Sequence, residues 1–311
     1  MKKLLLFMAV GVATMANAQQ FEVTSLQEVN TGGYAAFHPR FMPDGKTLLV
    51  SQTESYDGLS LVNVKTGSYS ALCDMPGAAW CCEISEDGKT ILTRSMDRDN
   101  FTHNIYTIDV ATKKATPVIE NIDHINNMTF SKGVVQLAHS GGRLMTKKVA
   151  EVATPLKPNT NVLLTTEDLK LVVYVNGVRN MIDPLAGQFE DWDPQYIWPS
   201  LSPDGKTILF YCRDAAYTCD LGGKNVNRIG KIQGPQWIDN EHIVGMDGTH
   251  DGYFYEKNEI FACKIDGTQR QQLTSSADKE IKMLPSVSAD GSQIAYYTQS
   301  GKVFLMTIKK K

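Results

Sequence analysis

The amino-acid sequence predicts an all-β protein, and within that class a β-propeller of four-stranded blades. Two observations lead to this prediction: an internal repeat, and the short apolar segments within each period. The repeat is a tight turn containing Asp-Gly, and its clear copies stand at Asp44–Gly45, Asp87–Gly88, Asp204–Gly205 and Asp290–Gly291. Weaker copies centre on positions 133, 169 and 241, so the period is roughly 40 residues, which is typical of propellers.

The clearest copy, Ser202–Tyr211, shows why each repeat predicts a turn followed by a strand. Pro203 fixes φ, Asp204 can hydrogen-bond to its own backbone and Gly205 tolerates a positive φ, and together these favour a tight turn. The residues that follow the turn are bulky, apolar and partly β-branched, as in a strand.

The later part of each period predicts two further strands. Ile260–Gly267 is an apolar segment that ends near Asp and Gly, and Gln271–Thr274 follows it as a fourth strand. A four-stranded meander cannot bury both faces alone, so neighbouring copies are expected to stack on one another. Seven copies predict seven blades. Six blades are the alternative, if the degenerate centre (121–193) forms one blade rather than two.

The repeat resembles that of a known family. Ser-Pro-Asp-Gly-Lys at 202–206, followed by an apolar strand, then a strand ending in Asp and Gly, then Leu-Thr at 273–274, is similar to the WD40-like repeats of TolB. The same repeat builds the propellers of prolyl-oligopeptidase-type peptidases and of oligogalacturonate lyases. The resemblance implies a fold, and, by analogy with TolB, a non-catalytic scaffold that binds a protein or peptide in the bacterial cell envelope. The alternatives are a propeller enzyme, such as a polysaccharide lyase or hydrolase, and a carbohydrate-binding propeller.

The first eighteen residues predict a signal peptide. Lys2 and Lys3 form its basic region, Leu4–Val12 its apolar core, and Ala16–Ala18 a cleavage site. We therefore expect a single propeller domain at 19–311, located in the periplasm or secreted. The formal net charge of −3 falls to −5 without Lys2 and Lys3, which argues against nucleic acid as a partner. The predicted partner is an envelope protein or peptide, with a glycan as the alternative, and we expect a monomer without membrane insertion.

The N-terminal strand candidate, Phe21–Val29, precedes the first repeat. The last repeat ends after its third strand, Val303–Ile308, close to the end of the chain. We therefore expect the N-terminal strand to complete the last blade and to remove the exposed edges of an open ring.

Three groups of residues are candidates for ligand binding. Polar residues stand five positions before the repeat marker and are expected to face the central channel: Arg40, Glu83 and Gln236, together with Ser200 and Ser286. A long hairpin between two strands carries Asp247, His250 and Asp251. Trp192 belongs to an acidic and aromatic stretch (188–198) in which Tyr196 and Trp198 are expected to be buried between blades. An ordinary exposed loop and channel lining are the alternative interpretations.

Asp97 and Asp99 place carboxylates at alternate positions of a loop, an arrangement that suits Ca²⁺, although a hairpin with Asx turns explains the same residues. No other cofactor is predicted. No catalytic acid/base pair is visible in the sequence, which favours a binding protein over an enzyme. Disulfides are possible if the protein is exported: the candidate pairs are Cys212 with Cys219, and Cys73 with Cys81 or Cys82, and free buried thiols are an equal alternative.

Overall fold

The computed structural model describes residues 19–131, 134–139, 143–148, 162–251, 255–275 and 279–311. The predicted signal peptide, residues 1–18, lies outside the described residues. The regular secondary structure among these residues consists entirely of β-strands. No helix in the described ranges is long and apolar enough to cross a membrane.

The strands form seven antiparallel sheets, numbered here along the chain. The first strand, β1 (Phe21–Glu28), belongs to sheet 7. Sheet 1 contains β2 (Phe37–Phe41), β3 (Thr47–Ser51), β4 (Leu59–Asn63) and β5 (Tyr69–Cys73). Sheet 2 contains β6 (Glu83–Ile84), β7 (Thr90–Asp97), β8 (Thr102–Asp109) and β9 (Ala115–Ile122). Sheet 3 contains β10 (Ile125–Ser131), β11 (Val134–His139) and β12 (Arg143–Lys148), and sheet 4 contains β13 (Val162–Glu167), β14 (Lys170–Val175) and β15 (Val178–Ile182).

The remaining strands complete the ring. Sheet 5 contains β16 (Tyr196–Leu201), β17 (Thr207–Cys212), β18 (Ala215–Asp220) and β19 (Asn227–Gly230). Sheet 6 contains β20 (Gln233–Trp237), β21 (His242–His250), β22 (Tyr255–Lys264) and β23 (Gln271–Gln272). Sheet 7 contains β24 (Lys282–Val287), β25 (Gln293–Thr298) and β26 (Val303–Lys310), with β1 added at its outer edge.

Each sheet packs on its neighbours in sequence, and the first strands of successive sheets contact one another near the centre. Buried apolar side chains fill the interfaces between the sheets. Leu49 and Ile91 belong to the cluster between sheets 1 and 2, and Phe210 and Val173 to the cluster between sheets 4 and 5. One large cluster joins sheets 6, 7 and 1 and so closes the circle. The prediction of an all-β propeller is confirmed.

Five of the sheets have the four strands that the sequence predicts, and sheets 3 and 4, in the degenerate centre, contain three described strands each. After β15 the chain enters a turn segment, residues 183–195, instead of a fourth strand. Pro184 and Pro194 lack the amide donors that a ladder needs, and Gly187 adopts a φ of 70°. The residues that follow β12, 149–161, lie outside the described residues.

The N-terminal strand closes the ring as predicted. β1 pairs antiparallel with β26, from Phe21 opposite Lys310 to Glu28 opposite Phe304. Phe21 is buried at the start of this strand, and its backbone amide and carbonyl both bind the side-chain amide of Gln271 in sheet 6. Strand β1 is therefore joined both to β26 and to the neighbouring sheet 6.

The Asp-Gly repeats form the turns that the sequence predicts. In all four, the aspartate carboxylate accepts a hydrogen bond from the backbone amide two residues later, over 2.8 Å at Asp44, 3.0 Å at Asp87, 3.2 Å at Asp204 and 3.0 Å at Asp290. These turns join the first and second strands of their sheets, so they lie together on one face of the ring. The connections between second and third strands lie on the opposite face, which we call the hairpin face.

Candidate functional site: an aromatic mouth on the hairpin face

The first strands share an unusual backbone feature near the hairpin face. His38, Trp198, Gly234 and Leu284 each precede a proline and adopt a positive φ, at 49°, 52°, 55° and 32°. At each of these points the pairing with the second strand shifts register. A residue before proline normally adopts an extended conformation, and a positive φ is costly for a residue other than glycine. The same strained conformation recurs around the central opening of the ring on the hairpin face, which we call the mouth. This recurrence marks the mouth as a candidate site.

His38 and two tyrosines form the first part of the site. The imidazole of His38 stacks on the ring of Tyr56, with centroids 3.8 Å apart, and meets the edge of Tyr297 from sheet 7 at 4.9 Å. His38 Nε2 lies 2.9 Å from the carbonyl oxygen of Glu54. These contacts join the loop between β3 and β4 of sheet 1 to β25, the second strand of sheet 7.

Sheets 5 and 6 contribute the second part. The indole of Trp198 contacts the ring of Tyr211 at 5.5 Å between centroids. Gln233 hydrogen-bonds to Tyr211, and its side-chain oxygen accepts a hydrogen bond from the Tyr255 hydroxyl over 3.1 Å. Trp198 keeps 37% of its surface exposed, so it presents an aromatic face to solvent.

On the other side, Trp80 of the segment that enters sheet 2 continues the row. The backbone of the adjacent Ala79 donates to the Tyr56 carbonyl over 2.9 Å, and the guanidinium of Arg94 lies 3.9 Å from the centre of the Trp80 ring. We call the complete row the aromatic arc, and its members are Trp198, Tyr211, Tyr255, Tyr297, His38, Tyr56 and Trp80. The arc spans sheets 5, 6, 7, 1 and 2.

The ionisable members of the arc are uncharged at neutral pH. Burial lowers the pKa of His38, although the hydrogen bond to the Glu54 carbonyl opposes this shift. Burial raises the pKa of Tyr56, Tyr211, Tyr255 and Tyr297 above the ordinary phenol value. The arc is therefore a neutral surface that combines aromatic rings with phenol hydroxyls.

The predicted channel residues lie deeper, on the first strands. Arg40 and Glu83 face each other across the interface of sheets 1 and 2, with Arg40 Nη2 3.5 Å from Glu83 Oε1. Arg40 also donates to the carbonyl and, over 3.3 Å, to the sulfur of Cys82. Gln236 is half-buried on β20. Arg40 and Glu83 thus connect two sheets beneath the arc.

The predicted hairpin residues of sheet 6 lie at the outer part of the same face. Both oxygens of Asp247 are engaged, with Lys231 at 2.9 Å and Arg270 at 2.5 Å. His250 meets the edge of Tyr255 at 6.0 Å, and Asp251 also makes an interaction. Asp247 of β21 therefore pairs with cationic side chains from the segments that precede β20 and β23.

For two tryptophans, the burial of the side chain is the reverse of what the sequence predicts. Trp192, predicted to be at the surface, is half-buried and packs against Phe189, with centroids 5.4 Å apart, beside the core of sheets 4 and 5. Trp198, predicted to be buried, is exposed because the bulge at Trp198–Pro199 takes it out of the ladder. Tyr196 is fully buried as predicted, and its hydroxyl donates to Asp183.

The Asp97 loop is an Asx turn. Asp97 accepts the amides of Asp99 and Asn100 over 3.0 and 3.1 Å, and its second oxygen binds the Asn100 side chain over 2.9 Å. Within the described ranges, no group of three or more His, Cys, Asp or Glu side chains is placed to hold a metal ion. The Ca²⁺ hypothesis at Asp97 and Asp99 remains a prediction.

All six cysteines are free thiols. Cys212 lies opposite Ala215 and Cys219 opposite Ile208, so the two are separated by four ladder positions, or about 13 Å. This separation exceeds the span of a disulfide. The two cysteines lie far apart because the connecting turn is only Arg213–Asp214, and the strand β18 continues from Ala215 past Cys219. The candidate Cys212–Cys219 bridge is therefore not formed, and these two residues are the free buried thiols of the alternative. Cys82 contacts Arg40 and Cys81 lies 4.0 Å from the Asn126 carbonyl, and neither is bonded to Cys73.

Sequence reasoning missed the aromatic arc, yet a signal for it exists. Arg94, Tyr211 and Tyr297 stand at the same distance, six residues after the repeat glycine, where the second strand reaches the hairpin face. His38 and Trp198 stand immediately before the proline of the first strand. An alignment of the repeats would therefore have identified most of the site from two positions: the sixth residue after the repeat glycine and the residue before the proline of the first strand.

Comparisons with known proteins support the fold. Similar solved structures include an oligogalacturonate lyase from Vibrio parahaemolyticus, 12% identical, with a TM-score of 0.57 over 92% of this chain and 97% of that one. U3-55K is 11% identical, with a TM-score of 0.60 over 91% of this chain and 98% of that one. TolB from Acinetobacter baumannii is 15% identical, with a TM-score of 0.49 over 80% of this chain, which spans 63% of the TolB chain.

No family model matches the sequence, and no curated protein matches it. The neighbours are different proteins, and their identities to this chain are too low to transfer a function from any of them. The two neighbours with TM-scores above 0.5 therefore support the β-propeller fold, and TolB and an oligogalacturonate lyase are among the structural neighbours of this chain.

Proposed function

We propose that this protein is an exported, non-catalytic propeller that binds a peptide segment of another envelope protein at the aromatic arc. The arc carries the proposal, because side chains from five sheets converge there on one rigid mouth. A site built on sheet ends needs little reorganisation when a ligand binds, and this favours affinity.

The residue types support a peptide ligand. Tryptophan, tyrosine and arginine are the residues that most often dominate binding energy at protein interfaces. Tyrosine and tryptophan supply large contact areas at low conformational cost and keep a polar group for hydrogen bonds. The arc offers these side chains in the order Trp198, Tyr211, Tyr255, Tyr297 and Tyr56 around the opening.

Export is the second part of the proposal. The basic, apolar and small-residue regions of Met1–Ala18 have the order of a signal peptide, which would direct the propeller to the periplasm or the exterior. A partner in that compartment would be an envelope protein. The TolB-like repeats of the sequence agree with this location.

A carbohydrate-binding propeller is the second candidate, and Trp198 favours it, because an exposed indole face can stack on a sugar ring. The remaining arc rings contact one another or are largely buried, so they offer little free face for stacking. This distribution suits the insertion of a peptide side chain better than the binding of a flat row of sugars.

The test begins with selection of random 12-residue peptides, displayed on phage, against the purified protein. The affinity of an enriched peptide is then measured by fluorescence polarisation. Trp198→Ala should weaken binding at least about tenfold, because a central tryptophan often contributes ~2 kcal/mol or more. The melting temperature should change little, since the ring is exposed.

Tyr34→Ala is the matched control. Tyr34 is also exposed, and it stacks on Tyr69 of β5 at 4.5 Å, so that it is an exposed aromatic residue outside the arc. Its loss should leave peptide affinity unchanged. Failure to enrich any peptide, equal effects of the two substitutions, or a glycan that binds in a Trp198-dependent manner would contradict the proposal.

A further inference from the structure

A single buried arginine stands at one end of the aromatic arc. Arg94 lies near the hairpin end of β7 with only 8% of its surface exposed. Among the described residues no carboxylate lies within ion-pair distance of its guanidinium, although five other arginines have such a partner: Arg40, Arg98, Arg179, Arg228 and Arg270. Arg213 also lacks a carboxylate partner, but it is exposed.

The neighbours of Arg94 hold it in place without neutralising it. The guanidinium stacks on Trp80 at 3.9 Å, Nε donates to the Gly77 carbonyl over 3.3 Å, and Nη1 lies 3.4 Å from His103 Nδ1. Within the described part of the chain, Nη2 makes no hydrogen bond. The planar group is thus fixed by three contacts, and one of its nitrogens is left for another partner.

The titratable groups that face Arg94 do not balance its charge. Burial, Arg94 and His124 lower the pKa of His103, which therefore remains neutral and accepts from Arg94. Burial raises the pKa of the nearby Cys81 thiol to about 12, so that this thiol is not an anion at neutral pH. The local charge is that of one permanent cation.

Gly77 preserves the space beside the unpaired nitrogen. This glycine has a φ of +69°, and a Cβ at its position would come within 3.4 Å of Arg94 Nη2. A larger residue would cover the edge of the guanidinium. The glycine therefore leaves one side of a buried cation open.

An unpaired buried charge is costly, and a protein that needed only packing here could use an apolar residue of similar length. Arginine is also the side chain best suited to bind a carboxylate through parallel N–H groups. One positive charge in neutral surroundings matches a carboxylate, which carries one negative charge, better than a dianionic phosphate.

We propose that Arg94 is a carboxylate-binding residue, which receives an acidic side chain or the C-terminal carboxylate of the ligand that occupies the arc. The peptide nature of that ligand rests on the proposed function above, whereas the anion site can be tested separately. The arc then binds the neutral, aromatic part of the ligand and Arg94 fixes its acidic end.

The test is a titration of the purified protein with glutarate, a small dicarboxylate, and with glutaramide, its uncharged analogue, at constant ionic strength. The melting temperature of the wild type should rise with glutarate and not with glutaramide, because a ligand that binds the folded state stabilises it. Arg94→Met should abolish the glutarate response. Arg98→Gln is the matched control, since Arg98 is an exposed arginine of the same sheet that pairs with Asp57, and it should respond like the wild type.

A second readout separates binding from a structural role. Without ligand, Arg94→Met should melt at the same temperature as the wild type or higher, because it removes an unpaired buried charge. A marked fall in melting temperature for both Arg94→Met and Arg94→Gln would assign Arg94 to holding the Gly77 loop and would overturn the proposal. A wild type that shows no glutarate response would overturn it as well.

The outcomes also distinguish this proposal from the proposed function. A glutarate response that depends on Arg94, with no peptide enriched in selection, would support the anion site and reject the peptide. If peptides are enriched, replacing their carboxylate with an amide should weaken binding to the wild type at least tenfold and to Arg94→Met hardly at all. Equal losses on both proteins would overturn the assignment of Arg94.

Discussion

The aspartates of the Asp-Gly turns show how single residues define the repeat. Asp204 accepts hydrogen bonds from the Ser202 hydroxyl over 2.6 Å and from the Lys206 amide over 3.2 Å, while Gly205 adopts a φ of 73°. A charged carboxylate accepts these bonds better than a protonated one. The hydrogen bond from the Ser202 hydroxyl and those from Lys206 accordingly lower the pKa of Asp204.

The lowered pKa of Asp204 predicts a pH-dependent contribution to stability. A carboxyl whose pKa is lower in the folded state stabilises the protein above its unfolded pKa, and this contribution is lost as the pH falls through the folded value. Asp204→Asn should therefore lower the free energy of unfolding at pH 7 by only about 0.5 kcal/mol, because solvent screens this partly exposed carboxylate. The difference from the wild type should narrow at pH 3 and below, as measured by urea unfolding.

The control for this prediction is Asp191→Asn, which changes an exposed aspartate outside the repeat turns. It should shift the unfolding midpoint little at either pH. A constant difference between Asp204→Asn and the wild type from pH 7 to pH 2.5 would show that the turn depends on side-chain shape and not on its charge.

At the residue scale, the turn aspartates were predictable from sequence and the arc was not. Asp204 forms its hydrogen bonds with residues close to it in the sequence, and Gly205 allows the positive φ of the turn. Both properties can therefore be read from a short stretch of sequence. His38 and Tyr297 meet across 259 positions of sequence, and only the closure of the ring brings their rings together. The exposure of Trp198 depends on a bulge whose register no local pattern specifies.

At the scale of single elements, β1 has a larger effect than its length suggests. The strand supplies the outer edge of sheet 7, and it buries Phe21, while Val29 just beyond its end is also buried. Without it, β26 would present an unpaired edge to solvent. Its position was predictable because the last repeat lacks a fourth strand and an unassigned strand begins the domain.

Deletion of residues 19–30 should lower the melting temperature by about 10 °C or more. The loss of two buried apolar side chains alone costs about 3–6 kcal/mol, and the loss of a strand ladder adds to this. The measurement is a thermal melt followed by circular dichroism. Leu26→Ser, which changes an exposed residue of the same strand, should leave the melt nearly unchanged, and an unaltered melt for the deletion would contradict the closing role of β1.

The hairpin of β17 and β18 predicts the redox state of two cysteines. Cys212 and Cys219 lie about four ladder positions apart in this hairpin, and burial raises the pKa of both thiols, to about 11 and about 12. Neither geometry nor thiolate reactivity favours a bridge. Protein purified without reductant, unfolded and treated with a thiol-reactive label should therefore carry six labels by mass spectrometry, and a mass lower by one bridge or more would contradict this prediction.

At the scale of the whole molecule, the sequence repeat predicted a ring in which successive sheets pack on one another. This prediction was possible because each sheet packs mainly on the sheets next to it in the sequence. The degenerate centre was the weak point of the prediction. Sheet 4 replaces a fourth strand with the turn segment 183–195, in which Asp183 binds both Lys170 over 2.8 Å and the Tyr196 hydroxyl. Long-range contacts of this kind substitute for a ladder and leave no periodic trace in the sequence.

The pairing of β1 with β26 also affects the order of events during protein synthesis. During synthesis β1 emerges first, but its partner β26 is made near the end of the 311-residue chain. At roughly 5–20 residues per second, the first strand waits on the order of 15–60 s before the ring can close. Throughout that interval the growing chain exposes a sheet edge and an incomplete core. Because the strand that closes the finished ring pairs last, we expect the incomplete chain to be more prone to aggregation than the finished protein.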